Sequence, residues 1–301
     1  MKTSKLRLML NKLLMLFVVA IAASCGQATK EESKENNADD FKKAEEEVLD
    51  QIETLAFDVP TPSEIPFLLE QTGAEFNESL VNDIAKIEGY EITNDVAAMN
   101  LGVYATDMGY LISYDKVQEA LNYLSSTKNL ADHLGVSASV NVDLLKRFEA
   151  NLGNKDSLSN ILDEAIGETD VFLKDDNRNR IAALLITGSF VEGLYIATEL
   201  VKTYPKDILP EDARVLVLTP LIRVILDQEK SLNDIISLLS TVDQANPVGD
   251  IKTQLDELNG LYKSLNIQDQ IKESNPQKVI NDATLITITE KVNQIRNSIT
   301  N

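Results

Sequence analysis

From Asp40 to the end of the chain, apolar residues return at intervals of three and four, the spacing of one face of an α-helix. Phe41, Ala44, Val48, Ile52, Leu55 and Ala56 make the first such run, with Asp39 or Asp40 placed to cap it. Asp58-Val59-Pro60-Thr61-Pro62 then breaks the pattern. Ser63-Glu64-Ile65-Pro66 restarts it with a capping residue and a proline tolerated in the first turn, and Gly73 ends that short helix.

The same spacing predicts helices over 94–114, over 115–133 closed by Gly135, over 142–152 closed by Gly153, over 156–173, and over 179–203 stopped by Tyr204-Pro205. The stretch 211–229 holds Pro220 in its middle and the β-prone run Arg214-Val215-Leu216-Val217-Leu218. It reads as two helices or one kinked helix, with a short strand as the lesser alternative. Ser231 is placed to cap a helix reaching Ala245, Pro247-Val248-Gly249 breaks it, and 251–265 and 284–299 complete the set. Strands do not alternate with helices and no glycine-rich phosphate loop follows a plausible strand. The predicted fold is all-α, a multi-helix bundle or helical array of roughly nine to eleven helices. One internal echo, Gly102-Val103-Tyr104-Ala105-Thr106-Asp107 against Gly193-Leu194-Tyr195-Ile196-Ala197-Thr198-Glu199, is short; if it is more than chance, it marks two equivalent helices that face one another.

Ahead of this region the pattern is different. Lys2, Lys5, Arg7 and Lys12 precede the apolar run from Leu13 to Ala23, then come Ser24 and Cys25, the only cysteine. A basic stretch before an apolar core too short for a comfortable permanent span is an export signal. With small residues just before Cys25, it resembles the lipobox of bacterial lipoproteins, with Ala22 where leucine is commonest. The resemblance implies that Cys25 becomes the first mature residue and carries the acyl chains, palmitate among the expected groups. A plain secretory signal with a chance cysteine is the other reading. The expected organisation is a signal peptide over 1–24, a flexible acidic tether over 25–40 and an all-helical globular domain over 41–301. The tether is polar throughout and lacks the apolar surface to offset its chain entropy. Its Lys30-Glu31-Glu32 resembles the surface-export signal of Bacteroidetes lipoproteins, and equally reads as plain solvation. Gly26 stands where an inner-membrane retention aspartate would, which implies an outer-membrane address, facing the periplasm or the cell surface. Pro62-Ser63-Glu64-Ile65, Gly73-Ala74-Glu75-Phe76-Asn77 and Asn100 to Asp107 resemble a group of uncharacterised Bacteroidetes lipoproteins, which implies an address and no activity.

Charge narrows the partners. The chain is formally −20, and removing the four basic residues ahead of Cys25 takes it to about −24. Such a surface repels nucleic acid and anionic lipid. No span is read after Cys25, so membrane association is expected through the lipid anchor, with an envelope protein or a small ligand as the other partner. Tryptophan is absent and aromatics are 5%, which disfavours a glycan platform built on stacked rings.

Candidate chemistry is sparse. Asn100, Tyr104, Asp107 and Tyr114 fall within about 80° on a helix, beside an apolar face of Leu101, Ala105, Met108 and Ile112. They form either a ligand-contacting wall or a half-buried boundary where phenols keep their hydroxyls wet. On the most apolar helix Ser189, Glu192, Tyr195 and Glu199 cluster, with Gly188 and Gly193 allowing a close neighbour. Glu192 is either a functional acid or a structural hydrogen-bonding group. The candidate ligand-binding set is thus Asn100, Tyr104, Asp107, Glu192, Tyr195 and Glu199. Tyr104, Asp107 and Glu192 are expected to meet, with the phenols of Tyr104 and Tyr195 as donors to the two acids. No catalytic residue, cofactor or metal is assigned: His133, the one histidine, suits a helix C-terminus, and there is no triad or zinc spacing. The expected function is a non-enzymatic binding or interaction module. The alternative is an envelope enzyme working through carboxylates and tyrosines on two central helices.

Overall fold

In a computed structural model the described residues are 59–136, 142–175, 178–204, 211–264 and 283–301. Cys25, the tether and the helix expected over 41–56 lie outside them. Contacts separate Met1–Val48 from Leu49–Asn301, and the described residues all belong to the second unit. That unit is all-α, with ten α-helices and no strand among the described residues.

The helices are α1 (Glu64–Gln71), α2 (Asn94–Ser113), α3 (Val117–His133), α4 (Val142–Ala150), α5 (Lys155–Asp175), α6 (Asn179–Thr203), α7 (Glu211–Leu226), α8 (Glu229–Ser240), α9 (Val248–Ser264) and α10 (Ala283–Thr300). Two 3₁₀ segments, Glu78–Leu80 and Ile84–Tyr90, occupy the stretch before α2, where apolar spacing had predicted no element. Each is started by a side-chain oxygen, Asn77 accepting from the Ser79 N–H and Asp83 from the Ala85 N–H. Gly73 and Gly135 end α1 and α3 with positive φ, +79° and +69°, as the sequence suggests. His133 sits exposed in the last turn of α3.

Some boundaries differ from the expectation for reasons of packing. Ser63 precedes α1 but does not cap it through its own side chain; its N–H and hydroxyl both donate to Asp163, reaching across from α5. The strand alternative over 214–218 is wrong. Those residues are helical, and α7 runs through Pro220 as one helix. Ser231 is no cap either. It lies buried inside α8, which begins at Glu229, and α8 stops at Ser240, five residues short of Ala245. A cis Asn246–Pro247 bond precedes α9, which starts at Val248 rather than three residues later.

At the centre, α2 and α6 pack along one another more extensively than any other pair. Small residues set that approach: a Cβ on Gly102 would overlap the Leu185 carbonyl and sit 2.7 Å from the Ser189 nitrogen, and a Cβ on Gly188 would overlap the Met99 carbonyl. Thr106 donates to the Ser189 carbonyl at 3.0 Å across the same seam. The two helices do face one another, but Gly102 meets the Gly188 region, while Gly193, its partner in the sequence echo, abuts Ile65 of α1. Around this pair, α1, α3 and α5 pack on α2, and α1, α5, α7, α8 and α10 pack on α6. By length and composition α6 is apolar enough to cross a membrane, contrary to the reading that no such segment follows Cys25. In the structure 89% of its most apolar window is buried by the other helices, which marks it as a core helix.

Candidate functional site

The polar groups of the central pair are positioned by helices that could not exist at the surface. Every residue of α2 from Ala97 to Ser113 is buried, so its Asn100, Tyr104 and Asp107 form neither an open wall nor a half-wet boundary. The segment 82–90 lies over Tyr104 and Asp107 and takes up their hydrogen bonds. Tyr104 donates to the Asp83 carbonyl at 2.8 Å, and Tyr123 of α3 donates to the Asn82 carbonyl at 2.9 Å. The Asn82 side-chain amide donates to the Tyr90 hydroxyl at 3.2 Å, and Tyr90 passes its own proton to the Thr300 carbonyl at 2.8 Å. The rings of Tyr90 and Tyr123 flank that of Tyr104 at 6.1 and 5.9 Å. Burial raises the pKa of each of these phenols, so they stay neutral donors.

Asp107 and Glu192, expected to meet, do meet. Both are fully buried, and their carboxyl groups are neighbours, each acting on the other's charge. The donors around them are not the expected phenols. The Asn82 N–H donates to Asp107 Oδ2 at 3.0 Å, and Arg296 of α10 grips Glu192 with two bonds, Nε to Oε2 at 3.0 Å and Nη2 to Oε1 at 3.2 Å. The Arg296 guanidinium lies over the Tyr195 ring at 4.6 Å, so Tyr195 offers its face rather than its hydroxyl.

Asp107 Oδ1 faces no donor of its own. Two ionised carboxylates in contact would repel, so the contact is a hydrogen bond only when one of the pair holds a proton. Burial, then the charge of Glu192, pushes Asp107 well above the usual carboxylate range. Burial also raises Glu192, against the pull of Arg296. Burial opposes the charge on Arg296, but Glu192 outweighs it and holds the guanidinium protonated. The arrangement therefore favours one proton held by the Asp107–Glu192 pair, with Arg296 compensating the remaining negative charge.

Asn100 and Glu199, the remaining candidates, belong to the same α10 interface. Asn100 donates to the Ile299 carbonyl at 3.0 Å, and Lys86 reaches the Thr300 carbonyl at 3.3 Å, so the last carbonyls of α10 find partners within the fold. One turn from Tyr195, Glu199 accepts from Asn293 at 2.6 Å and Lys202 at 2.8 Å. Arg296 and Asn82 are the residues that sequence reading missed. A buried Glu192 needs a partner, a proton or a wet cavity, and Arg296 stands among the apolar residues Val292, Ile295 and Ile299 of α10, which was the available signal.

Hollows open elsewhere among the described residues. One of about 200 Å³ lies between Ala74–Asn77 and the end of α6 at Leu200, Thr203 and Tyr204. One of about 100 Å³ lies between Val59–Pro62, α5 and α6, with Asp163 and Asp170 on its wall. Burial raises the pKa of Asp163, and three hydrogen bonds from Thr61 and Ser63 oppose the rise; Asp170 pairs with Lys174 at 2.8 Å. Asp107, Glu192 and Tyr104 line neither hollow. Among the described residues no three His, Cys, Asp or Glu side chains gather to hold a metal. Comparison of the chain with protein-family models, with curated proteins and with solved structures finds no match.

Proposed function

We propose that this chain is a lipid-anchored protein of the bacterial envelope, held at an outer membrane through Cys25, whose helical domain serves as a rigid interaction module for an envelope protein or a small ligand rather than as an enzyme. The observation that carries the second half is the use made of the candidate acids. Asp107, Glu192, Tyr104 and Asn100 spend their hydrogen bonds on α10, on Asn82 and on backbone carbonyls, inside a region shut off from water. A general acid or base has to reach a reacting atom in a cleft. These groups are bonded within the fold instead, and they tie α10 and the segment 82–90 to α2 and α6. What the domain offers to partners is then its surface, strongly acidic as a whole.

The first half rests on the basic and apolar run ahead of Cys25 and on the tether behind it. Its test is Cys25→Ala followed by detergent-phase partitioning and a measure of acyl incorporation. The variant is expected to move to the aqueous phase and to lose the label. A variant that stays in the membrane fraction removes the anchor from the proposal. Replacing Lys30, Glu31 and Glu32 by alanine addresses the side of the membrane: reduced protease access on intact cells places the wild-type domain outside, and unchanged access makes the triplet plain solvation.

A further inference from the structure

We propose that the buried Asp107–Glu192–Arg296 cluster is a proton-dependent latch for helix α10. With one proton between the two carboxyls, α10 is locked onto α2 and α6; loss of that proton leaves two buried anions facing one guanidinium and loosens α10.

The geometry isolates the proton as the adjustable part. Both carboxyls are fully buried neighbours, Asp107 Oδ1 has no donor, and the guanidinium bonded twice to Glu192 is carried by α10. Neutral Asp107, ionised Glu192 and Arg296 sum to no net charge; removing the proton leaves a net negative charge in the core. On the far side of α10, Lys291 is paired with Glu257 of α9. The 3₁₀ segment Ile84–Tyr90 brings Tyr90 and Lys86, α3 brings Tyr123, α2 brings Tyr104, and α6 brings Tyr195 and Glu199. The phenols remain neutral, and Glu199 is occupied by Lys202 and Asn293. Lys86 is a further cation acting on Glu192, and its ammonium is directed to the Thr300 carbonyl. The charges of α1 and α5 lie apart from the pair: Glu70 and Lys155 bond each other at the Ser113 end of α2, and Asp163 holds the start of α1.

The helix that yields is α10 because it carries the counter-ion and is fastened at one end by the same network. Its inward residues Leu285, Ile288, Val292, Ile295 and Ile299 are apolar, but its final carbonyls depend on Asn100, Tyr90 and Lys86. The folded carboxyl values lie above the ordinary ones, so folding retains a proton that the detached state releases. The stabilisation is fully present below the ordinary carboxylate range and is lost as pH rises from there through the folded value of Asp107.

Hydrogen exchange of the whole chain, resolved by helix from about pH 4 to about pH 9 and divided by the intrinsic amide rate, reads the latch directly. In the wild type the opening of α10 is expected to rise with pH by up to about tenfold per pH unit, the slope of one proton, while the interiors of α2 and α6 lag behind. Asp107→Asn keeps an acceptor for Asn82 and donates permanently to Glu192, so its α10 profile is expected to be flat. Wild-type α10 protection that does not change with pH overturns the proposal, as does an Asp107→Asn profile that tracks the wild type. If that variant fails to fold, the Asp107 carboxyl carbon is followed by NMR in the wild type. Titration above the ordinary range together with α10 opening supports the latch, and titration within that range refutes it.

Discussion

At the scale of single residues, burial turns small chemical changes into large ones. Arg296→Met removes the partner of a carboxylate with no exposed surface, and is expected to cost about 3–5 kcal/mol in urea unfolding. Glycines divide into two kinds that composition cannot tell apart. Gly102→Ala and Gly188→Ala each drive a methyl group into a backbone carbonyl of the facing helix, and each should lose at least about 2 kcal/mol. Gly260, exposed on α9, has nothing within 4 Å of its missing Cβ, and Gly260→Ala should gain about 0.5–1 kcal/mol by relieving a helix of glycine. Midpoints from one denaturation series compare all four variants. The sequence showed that Gly188 suited a close approach and that Glu192 needed company. It did not show which glycine met which helix, because that depends on the rotation of each helix about its axis.

At the scale of elements, local signals placed most helices and misplaced the starts that are made by distant residues. The bounds of α6 follow directly from its unbroken apolar spacing and the Tyr204-Pro205 stop. For α1 the start is completed by Asp163, about a hundred residues away, so Asp163→Ala is expected to cost about 0.5–2 kcal/mol, as loss of a helix cap does. In α7 the helix runs through Pro220, which is exposed and supplies no N–H to the ladder. Pro220→Ala should therefore raise stability, by about 1 kcal/mol or more, with a small increase in helical circular dichroism. Loss of stability in that variant would mean that the proline ring is needed by the packing of α7 on α6. The strand-like run before the proline misled because β-branched residues favour strands only where a neighbouring strand exists to pair with them.

At the scale of the whole molecule, acidic excess and an apolar centre are set against one another. The chain as a whole carries a formal charge of −20, so its surface repels itself, and the repulsion is screened by salt. Its melting temperature is expected to rise by a few degrees between very low ionic strength and physiological salt, and a fall would show that surface ion pairs such as Lys128–Asp132 outweigh the repulsion. The buried latch responds differently, since ions do not reach it and only proton concentration does.

The amino-acid sequence by itself determined the helical class, the bounds of the long helices, the acidic character and the expectation of an anchor at Cys25, because each is a property of local spacing, charge count or an ordered short segment. It also placed the helices that carry Asp107 and Glu192 at the centre, since helices rich in small residues and poor in charge belong there in an all-α fold; Tyr104, expected beside both acids, bonds the Asp83 carbonyl instead. Tertiary structure alone decided what those residues do. The covering segment 82–90 has no helical periodicity to announce it, and Arg296 is separated from Glu192 by 104 positions. A hydrogen-bond partner at that distance is chosen by how helices dock, which is a sum over many weak contacts and leaves no mark in the spacing of any one helix.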